Sequence, residues 1–237
     1  MALDALKISD DVAEDKDVLG GGSFTLESGI YEAKVEMAYM DQSKGGALAL
    51  NLHFMTSENQ LLKQTLWVTS GDAKGNKNFY LDKEGNKRVL PGMSQANHIA
   101  LLTTGKEIAE LDTEEKVIKL YNFDVKEEIP TKVQVITEML DKDIILGVMK
   151  QIVDKNVKND AGTYVPSGDT REENEISKIF SAKDKRTVSE IKAELPAADF
   201  IKQWDEKWTG VTRNRAKGGK NAPAGTPVAA PKPLFAS

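Results

Sequence analysis

The sequence predicts a mainly β domain, built on an antiparallel sheet with peripheral helices and flexible termini. Three successive segments within residues 30–69 alternate apolar and polar side chains with period two, which is typical of half-buried strands. Short turn sequences join them, so consecutive strands are expected to pair antiparallel. Such a sheet must close on itself or cover its edges, and helical spacing appears only after residue 93.

The first three strands each have one face predicted to be buried. The third strand, "LLKQTLWVT" at 61–69, places Trp67 out of phase with Leu66 and Val68. Trp67 is therefore expected on the exposed face. The buried face is expected to carry Tyr31, Ala33, Val35, Met37 and Tyr39 from the first strand, and Leu48, Leu50, Leu52 and Phe54 from the second.

A lysine-rich hairpin is predicted next, in the stretch "KGNKNFYLDKEGNKR" at 74–88. Its turn is "KEGN", because a glycine between polar residues is a strong turn signal. The stretch has five basic and two acidic residues in an otherwise acidic chain. Phe79 and Tyr80 are adjacent, so they are expected to lie on opposite faces of a strand.

Helical spacing begins at Ser94, which we expect to cap a helix that ends at Gly105. Residues 107–125 predict a short helix followed by a strand. A long strand is predicted over 144–159, with a bulge or bend at Gly147.

The C-terminal part of the domain is less uniform. Residues 168–180 fit either a helix, with Thr170 and Glu173 as a capping box, or a strand. Thr187 and Glu190 form a clearer capping box for a helix over 187–195, which Pro196 ends. Residues 197–208 predict a last short helix.

Composition divides the chain into three parts. Residues 1–23 are expected to form an acidic flexible arm, residues 24–209 a folded domain, and residues 210–237 a disordered basic tail rich in Gly, Ala and Pro. The net charge of −5 consists of −10 for residues 1–200 and +5 for residues 201–237. An acidic body still permits nucleic-acid binding, because affinity follows the local field.

Several function classes are disfavoured by composition. The chain has no cysteine and two histidines, so thiolate sites and multi-histidine metal sites are excluded. "GDAKGNKN" lacks the GK[ST] of a phosphate loop. We expect no enzyme activity, catalytic residue, metal or cofactor. The absence of long apolar runs and of a signal peptide predicts no membrane association, and a reducing cytoplasm is the expected location.

Basic and aromatic residues together are typical of proteins that hold single-stranded nucleic acid. The lysine-rich hairpin and Trp67 form such a set, and Lys34, Arg213 and Arg215 are expected to add phosphate contacts. The alternative is that Trp67 and one hairpin aromatic cover a sheet edge, with the lysines protecting that edge from aggregation. The full set of predicted DNA-binding residues is Lys34, Trp67, Lys74, Lys77, Phe79, Tyr80, Lys87, Arg88, Arg213 and Arg215.

Four stretches, spanning roughly residues 28–180, give the chain a family resemblance. They are "GIYEAKVEMAYMDQSKGGALALNLHF", "LWVTSGDAKGNKNFY", "LPGMSQANHIALLTTGKEIAELDTEEKVI" and "TREENEISKIF". In these stretches the chain resembles tailed-phage single-stranded-DNA-binding proteins. The resemblance implies an OB-fold-like antiparallel β-barrel that coats and protects single-stranded DNA, without sequence preference, in phage replication and recombination.

The resemblance also implies a groove of aromatic and basic side chains, here Trp67, Lys74, Lys77, Phe79, Tyr80, Lys87 and Arg88. Replication or recombination proteins are expected as partners through the C-terminal tail. Many single-strand binders end in an acidic tail, whereas this tail is basic and ends "KPLFAS".

Two other function classes stay open on the sequence alone. One is a phage structural or scaffolding protein that joins partners through its sheet edges and tail. The other, less favoured, is a DNA-processing nuclease with a carboxylate cluster. Strand annealing is a close neighbour of simple coating, and the sequence predicts neither the oligomeric state nor the size of the binding site.

Overall fold

The computed structural model describes residues 25–122, 125–159 and 164–217, and the backbone of residues 227–229. The predicted mainly β architecture is confirmed. The helices are α1 (Pro91–Thr104), α2 (Val188–Lys192) and α3 (Asp199–Trp208). The strands are β1 (Gly29–Gln42), β2 (Leu48–Thr56), β3 (Leu61–Trp67), β4 (Phe79–Leu81), β5 (Lys87–Val89), β6 (Glu114–Asn122), β7 (Glu127–Val135), β8 (Asp143–Lys158), β9 (Tyr164–Ser181), β10 (Val211–Asn214) and β11 (Pro227–Ala229).

Strand β1 organises the main sheet, which is antiparallel except where β10 lies parallel to β8. On one edge β1 pairs with β2, and β3 follows beyond β2. On the other edge the first half of β1 pairs with β8 and its last residues pair with β7. Beyond these, β9 pairs with β8 and β6 pairs with β7. Strands β4 and β5 form a separate hairpin.

The main sheet is not closed into a barrel, since no ladder among the described residues joins β3 to β9. Instead, Gln64 of β3 and Gln95 of α1 both reach the backbone of β9 at Ile176, and we call these two side chains the glutamine bridge. The Gln64 carbonyl accepts a hydrogen bond from the Ile176 amide at 3.2 Å, and the Gln95 amide donates to the Ile176 carbonyl at 2.6 Å. The Gln64 amide donates to the Gln95 carbonyl at 3.3 Å. The bridge satisfies backbone groups that a ladder would otherwise pair.

The main hydrophobic core lies between the curved sheet and α1. The predicted inward residues of β2 all pack there, and Leu50, Leu52 and Phe54 are fully buried. α1 adds Ala96 and Ile99, at a spacing that puts both on one helix face.

A bulge in β1 breaks the strict alternation expected there. The pairing register shifts between Val35 and Met37, so the strand gains one residue and the later side chains change face. Ala33 and Val35 face the main core as predicted, but Ala38 replaces the expected Met37 and Tyr39. Tyr39 is buried in a second cluster on the opposite face, with Val133 and Val135 of β7.

The predicted bulge at Gly147 is confirmed, because the β8–β9 register shifts between Gly147 and Val148. The indole of Trp204, on α3, packs over this glycine. A Cβ added to Gly147 would lie 3.1 Å from the Trp204 ring. The glycine therefore allows α3 to approach the sheet closely. Trp204 completes a small core with Ile145, Met149 and Phe180.

The start of α1 differs from the prediction, and the open choice between helix and strand for residues 168–180 is decided. α1 begins at Pro91, three residues before the expected Ser94 cap, because proline is favoured in the first turn, where its missing N–H costs no hydrogen bond. Its end at Gly105 is confirmed, with the glycine left-handed. The ambiguous segment 168–180 belongs to strand β9, so Thr170 and Glu173 form no capping box.

The predicted domain boundaries are corrected at one end. Residues 211–217 were assigned to the disordered tail, but β10 forms there and Ala216 is buried. β10 is held by β8 and by Ser28, whose hydroxyl donates to the Val211 carbonyl at 2.6 Å. Such a pairing between distant segments leaves no local periodicity. The acidic arm at 1–23 and most of the tail lie outside the described residues.

The buried carboxylate of Glu190 belongs to the predicted capping box of α2 and also links α2 to α3. Glu190 accepts hydrogen bonds from the Thr187 amide and from the amides of Asp199 and Phe200. Burial alone would raise the pKa of Glu190, but these bonds outweigh it and the pKa is lowered.

No helix in the described ranges is both long and apolar enough to cross a bilayer.

Candidate nucleic-acid interface

The β1–β2 turn, the loop after β3 and the base of the lysine-rich hairpin meet at one end of the sheet, where β1 ends, β2 begins and β3 ends. The β1–β2 turn contacts the loop after β3, since the Asp72 amide donates to the Gly45 carbonyl at 2.8 Å. The same loop holds the base of the lysine-rich hairpin. The Ser70 amide donates to the Lys77 carbonyl, and the Ser70 hydroxyl accepts from the Lys77 amide. The lysine-rich hairpin is thus anchored against this end of the sheet.

The lysine-rich hairpin consists of β4 and β5 with the predicted turn, and Gly85 supplies the positive φ of 82°. Asp82 organises the turn, because its carboxylate accepts from the amides of Glu84 and Asn86. The same carboxylate accepts from the Arg88 guanidinium at 2.9 Å. The hydrogen bond from Arg88, more than any other contact, lowers the pKa of Asp82. Arg88 therefore has a structural partner within the hairpin.

A cavity of about 630 Å³ opens against the lysine-rich hairpin, and we call it the hairpin cavity. Five predicted DNA-binding residues share its lining with three residues that the sequence did not single out. The lining comprises Ser70, Lys74, Lys77, Phe79, Tyr80, Leu81, Lys87 and Leu90. The cavity combines cationic and aromatic groups at one place, as single-strand binding requires.

Phe79 lies between two of the cavity lysines. The Lys77 ammonium lies 5.7 Å from the ring centroid, and the Lys87 ammonium lies 4.9 Å from it. Lys87 reaches the ring diagonally, because its directly paired residue across the hairpin is Leu81. Cation–π attraction of this kind holds each ammonium close to an aromatic face. Phe79 therefore positions the cations of the cavity.

Within the described part of the chain, the cavity lysines have no carboxylate partner, in contrast to the predicted cations Arg88, Lys34 and Arg215. Among the described residues, Lys74, Lys77 and Lys87 make no ion pair. All three are exposed to solvent. Since no anion of the protein neutralises them, their charge is available to phosphate groups.

Two of the predicted aromatic side chains are open to solvent. Trp67 exposes 49% of its surface and Tyr80 exposes 47%. Trp67 lies on the outer face of β3, as predicted. Tyr80 lies on the opposite face of β4 from Phe79, paired with Arg88. Both rings can offer a face to a base, because neither is buried in a core.

Gly92 fixes the separation between Trp67 and the helix that follows the lysine-rich hairpin. A Cβ on Gly92 would overlap the Trp67 carbonyl oxygen and lie 2.9 Å from its amide nitrogen. The end of β3 and the start of α1 are therefore in backbone contact. The hairpin is inserted between these two segments, so Trp67 and the hairpin lie at the same end of the sheet.

Three predicted residues lie away from this end. Lys34 forms an ion pair with Asp143 at 2.8 Å. Across β2 it lies in register with Leu61 of β3, six residues before Trp67. At about 3.3 Å per residue, that is about 20 Å away. Arg215 bonds Glu175 at 3.2 Å, and Arg213 is exposed on β10. The structure therefore groups none of the three with the hairpin cavity.

Ser70, Leu81 and Leu90 are the lining residues that sequence reasoning missed. Leu81 had a usable signal, because it follows Phe79 by two residues and so shares its strand face. It exposes 61% of its surface, which is unusual for a leucine in a hairpin. Ser70 and Leu90 join the cavity only through the hydrogen bonds at the base of the hairpin, which leave no sequence pattern.

No protein-family model matches the chain, and no curated protein matches it. Within the described part of the chain, no three His, Cys, Asp or Glu side chains are grouped to hold a metal ion. The assignment of function therefore depends on the geometry of the site.

Proposed function

We propose that the chain is a sequence-nonspecific single-stranded-DNA-binding protein that coats and protects DNA by aromatic stacking and lysine–phosphate contacts. The single observation that carries this proposal is the hairpin cavity, where three lysines without carboxylate partners adjoin the half-buried ring of Phe79 and the exposed ring of Tyr80. Phosphate contacts would supply salt-dependent affinity, and each stacked base contributes about 1–3 kcal/mol. Neither contact reads base identity.

Strand order supports the further proposal that the fold is a variant of the OB barrel. Three meandering strands β1–β3 are followed by α1 and then by the β8–β9 pair, with β8 returning to pair with β1. The five strands need only a β3–β9 contact to close, and the glutamine bridge lies there. OB folds bind oligonucleotides on such barrels. The hairpins β4–β5 and β6–β7 would then be insertions.

A role in phage DNA replication and recombination is proposed from the resemblance in sequence. That role would place the protein in the cytoplasm of an infected cell. Recruitment of replication proteins through the C-terminal tail stays a prediction on residues outside the described ranges. The rival interpretation, that the lysines and aromatics protect an edge, applies less well to the hairpin cavity, because an edge needs no cavity between its charges.

Tryptophan fluorescence during titration with oligo-dT tests the proposal. Trp204 is 3% exposed and Trp208 is partly buried, so Trp67 should dominate the response. We expect quenching by oligo-dT that weakens with salt, and a much smaller effect with the matched duplex. The variant Trp67→Phe should bind by anisotropy but lose most of the quenching. Absence of binding to oligo-dT at low salt, or equal affinity for duplex, would refute the proposal.

A further inference from the structure

A second cavity, of about 400 Å³, lies where α1, β9, α2 and α3 meet. We call it the helix cavity. The hydroxyl groups of Ser94 and Ser189 belong to its lining, while the Ser177 hydroxyl donates to the Gly147 carbonyl at 3.3 Å. Phe200 provides an apolar wall, and its ring lies 5.4 Å from the Lys178 ammonium. Hydroxyls can donate hydrogen bonds to an anion, so the lining is chemically suited to one.

Positive charge is concentrated at the helix cavity. His98 and Lys178 line it, and no lining residue is acidic. Within the described ranges Lys178 makes no ion pair with a carboxylate, and neither does Lys192 of α2. Burial chiefly lowers the pKa of His98, and the charges of Lys192 and Lys178 lower it further. The charges of both lysines therefore act on the imidazole of His98, and an anion bound beside it would offset them.

The buried carboxylate of Glu190 makes no ion pair with these cations among the described residues. Glu190 is 6% exposed, and its oxygens accept hydrogen bonds from the Thr187, Asp199 and Phe200 amides. These bonds hold the carboxylate on the backbone of α2 and α3. The cationic groups of the cavity are left for an external partner.

The helix cavity and the hairpin cavity adjoin along the chain. Leu90 lines the hairpin cavity, and the next residue, Pro91, lines the helix cavity. Consecutive Cα atoms are about 3.8 Å apart, so the linings of the two cavities are contiguous at the start of α1. One polymer with regularly spaced anions could therefore enter both.

We propose that the helix cavity is a second phosphate-binding subsite for the same single strand, which passes from the hairpin cavity over the start of α1. This inference rests on the proposed function and extends it. His98, Lys178 and Lys192 would contact phosphate groups, while Phe200 would pack against a sugar or base. The bound strand would then be longer than the hairpin cavity alone can hold.

The test compares dT20 with dT5, a short probe that we expect to bind first at the three lysines of the hairpin cavity, in the full-length protein. For the variant Lys178→Gln/Lys192→Gln, we expect the slope of log K against log salt for dT20 to fall by about 1.4, since each single-strand phosphate contact contributes about 0.7. Binding of dT5 should not change. The matched control is Lys183→Gln/Lys202→Gln, which removes two exposed lysines that line neither cavity.

An unchanged slope with dT20, an equal fall in the control, or an equal loss with dT5 would overturn the subsite. Absence of wild-type binding to dT20 would instead refute the proposed function itself. Histidine NMR gives an independent readout, because the chain has two histidines and His53 serves as the reference. The His98 ring signals should shift with dT20 and hardly with dT5. If the His98 signals shift with inorganic phosphate but not with dT20, the proposed path of the strand through the helix cavity would be wrong.

Discussion

Removing the cavity lysines should reduce the salt dependence of DNA binding by a defined amount. The variant Lys74→Gln/Lys77→Gln/Lys87→Gln keeps side-chain length but removes three charges that no carboxylate of the described residues neutralises. If each lysine neutralises one phosphate, the slope of log K against log salt falls by about 2. At 0.1 M salt, relative to a 1 M reference, the same slope corresponds to an affinity about 100-fold weaker.

The assay is fluorescence anisotropy of labelled dT20 at several salt concentrations. The matched control removes three lysines that already have carboxylate partners: Lys34→Gln, Lys106→Gln and Lys132→Gln together. Both variants have the same net charge, so a general field effect would change both equally. The reasoning is refuted if the cavity variant keeps the wild-type slope, or if the control loses as much as the cavity variant.

Three further predictions concern stacking, pH and packing. Trp67→Ala and Tyr80→Ala should each weaken dT20 binding by about 5- to 150-fold, as expected for one stacked base, whereas Tyr164→Ala, at a tyrosine 70% exposed on β9, should not. Glu190→Gln should lower the melting temperature at pH 7 by several degrees, because a hydrogen-bonded buried carboxylate is lost. Since the folded-state pKa of Glu190 is lowered, its contribution to stability is present above the unfolded pKa and lost as pH falls through the folded one. Gly92→Ala should destabilise the fold despite the better helix propensity of alanine, because its Cβ would overlap the Trp67 carbonyl.

Each of these predictions has an outcome that contradicts it. Equal binding by Tyr80→Ala and Tyr164→Ala would exclude Tyr80 from stacking. A Glu190→Gln variant whose melting temperature differs from wild type by the same amount at pH 3 and pH 7 would show that the charged form is not favoured by folding. A Gly92→Ala variant that melts higher than wild type would show that α1 moves away from β3 without cost, measured by circular dichroism.

Local patterns predicted most of the strands. Period-two alternation and glycine-containing turns located β1–β3 and the lysine-rich hairpin, since both signals depend on neighbouring residues. The bulge between Val35 and Met37 left no such signal, because it depends on how β2 pairs with β1. β10 was missed for the same reason, since its partner β8 lies about 60 residues earlier in the chain.

The residues of the candidate site also differ in whether local sequence could predict their environment. Lys74, Lys77, Phe79, Tyr80 and Lys87 lie within 14 consecutive residues, so one hairpin brings them together. The carboxylate partners of Lys34 and Arg215, in contrast, come from the distant strands β8 and β9. Whether a cation is free or paired is decided by such long-range contacts, and the sequence pattern does not contain them.

The glutamine bridge has a consequence for motion. The hydrogen bonds between β3 and β9 come from side chains alone. When the two glutamine side chains change rotamer, these bonds break while every strand ladder stays intact. The Ile176 amide should then exchange with solvent at a rate set by this local opening, far faster than the amides inside the β1–β8 ladder. The sheet would open locally between β3 and β9, beside α1 and the start of the helix cavity.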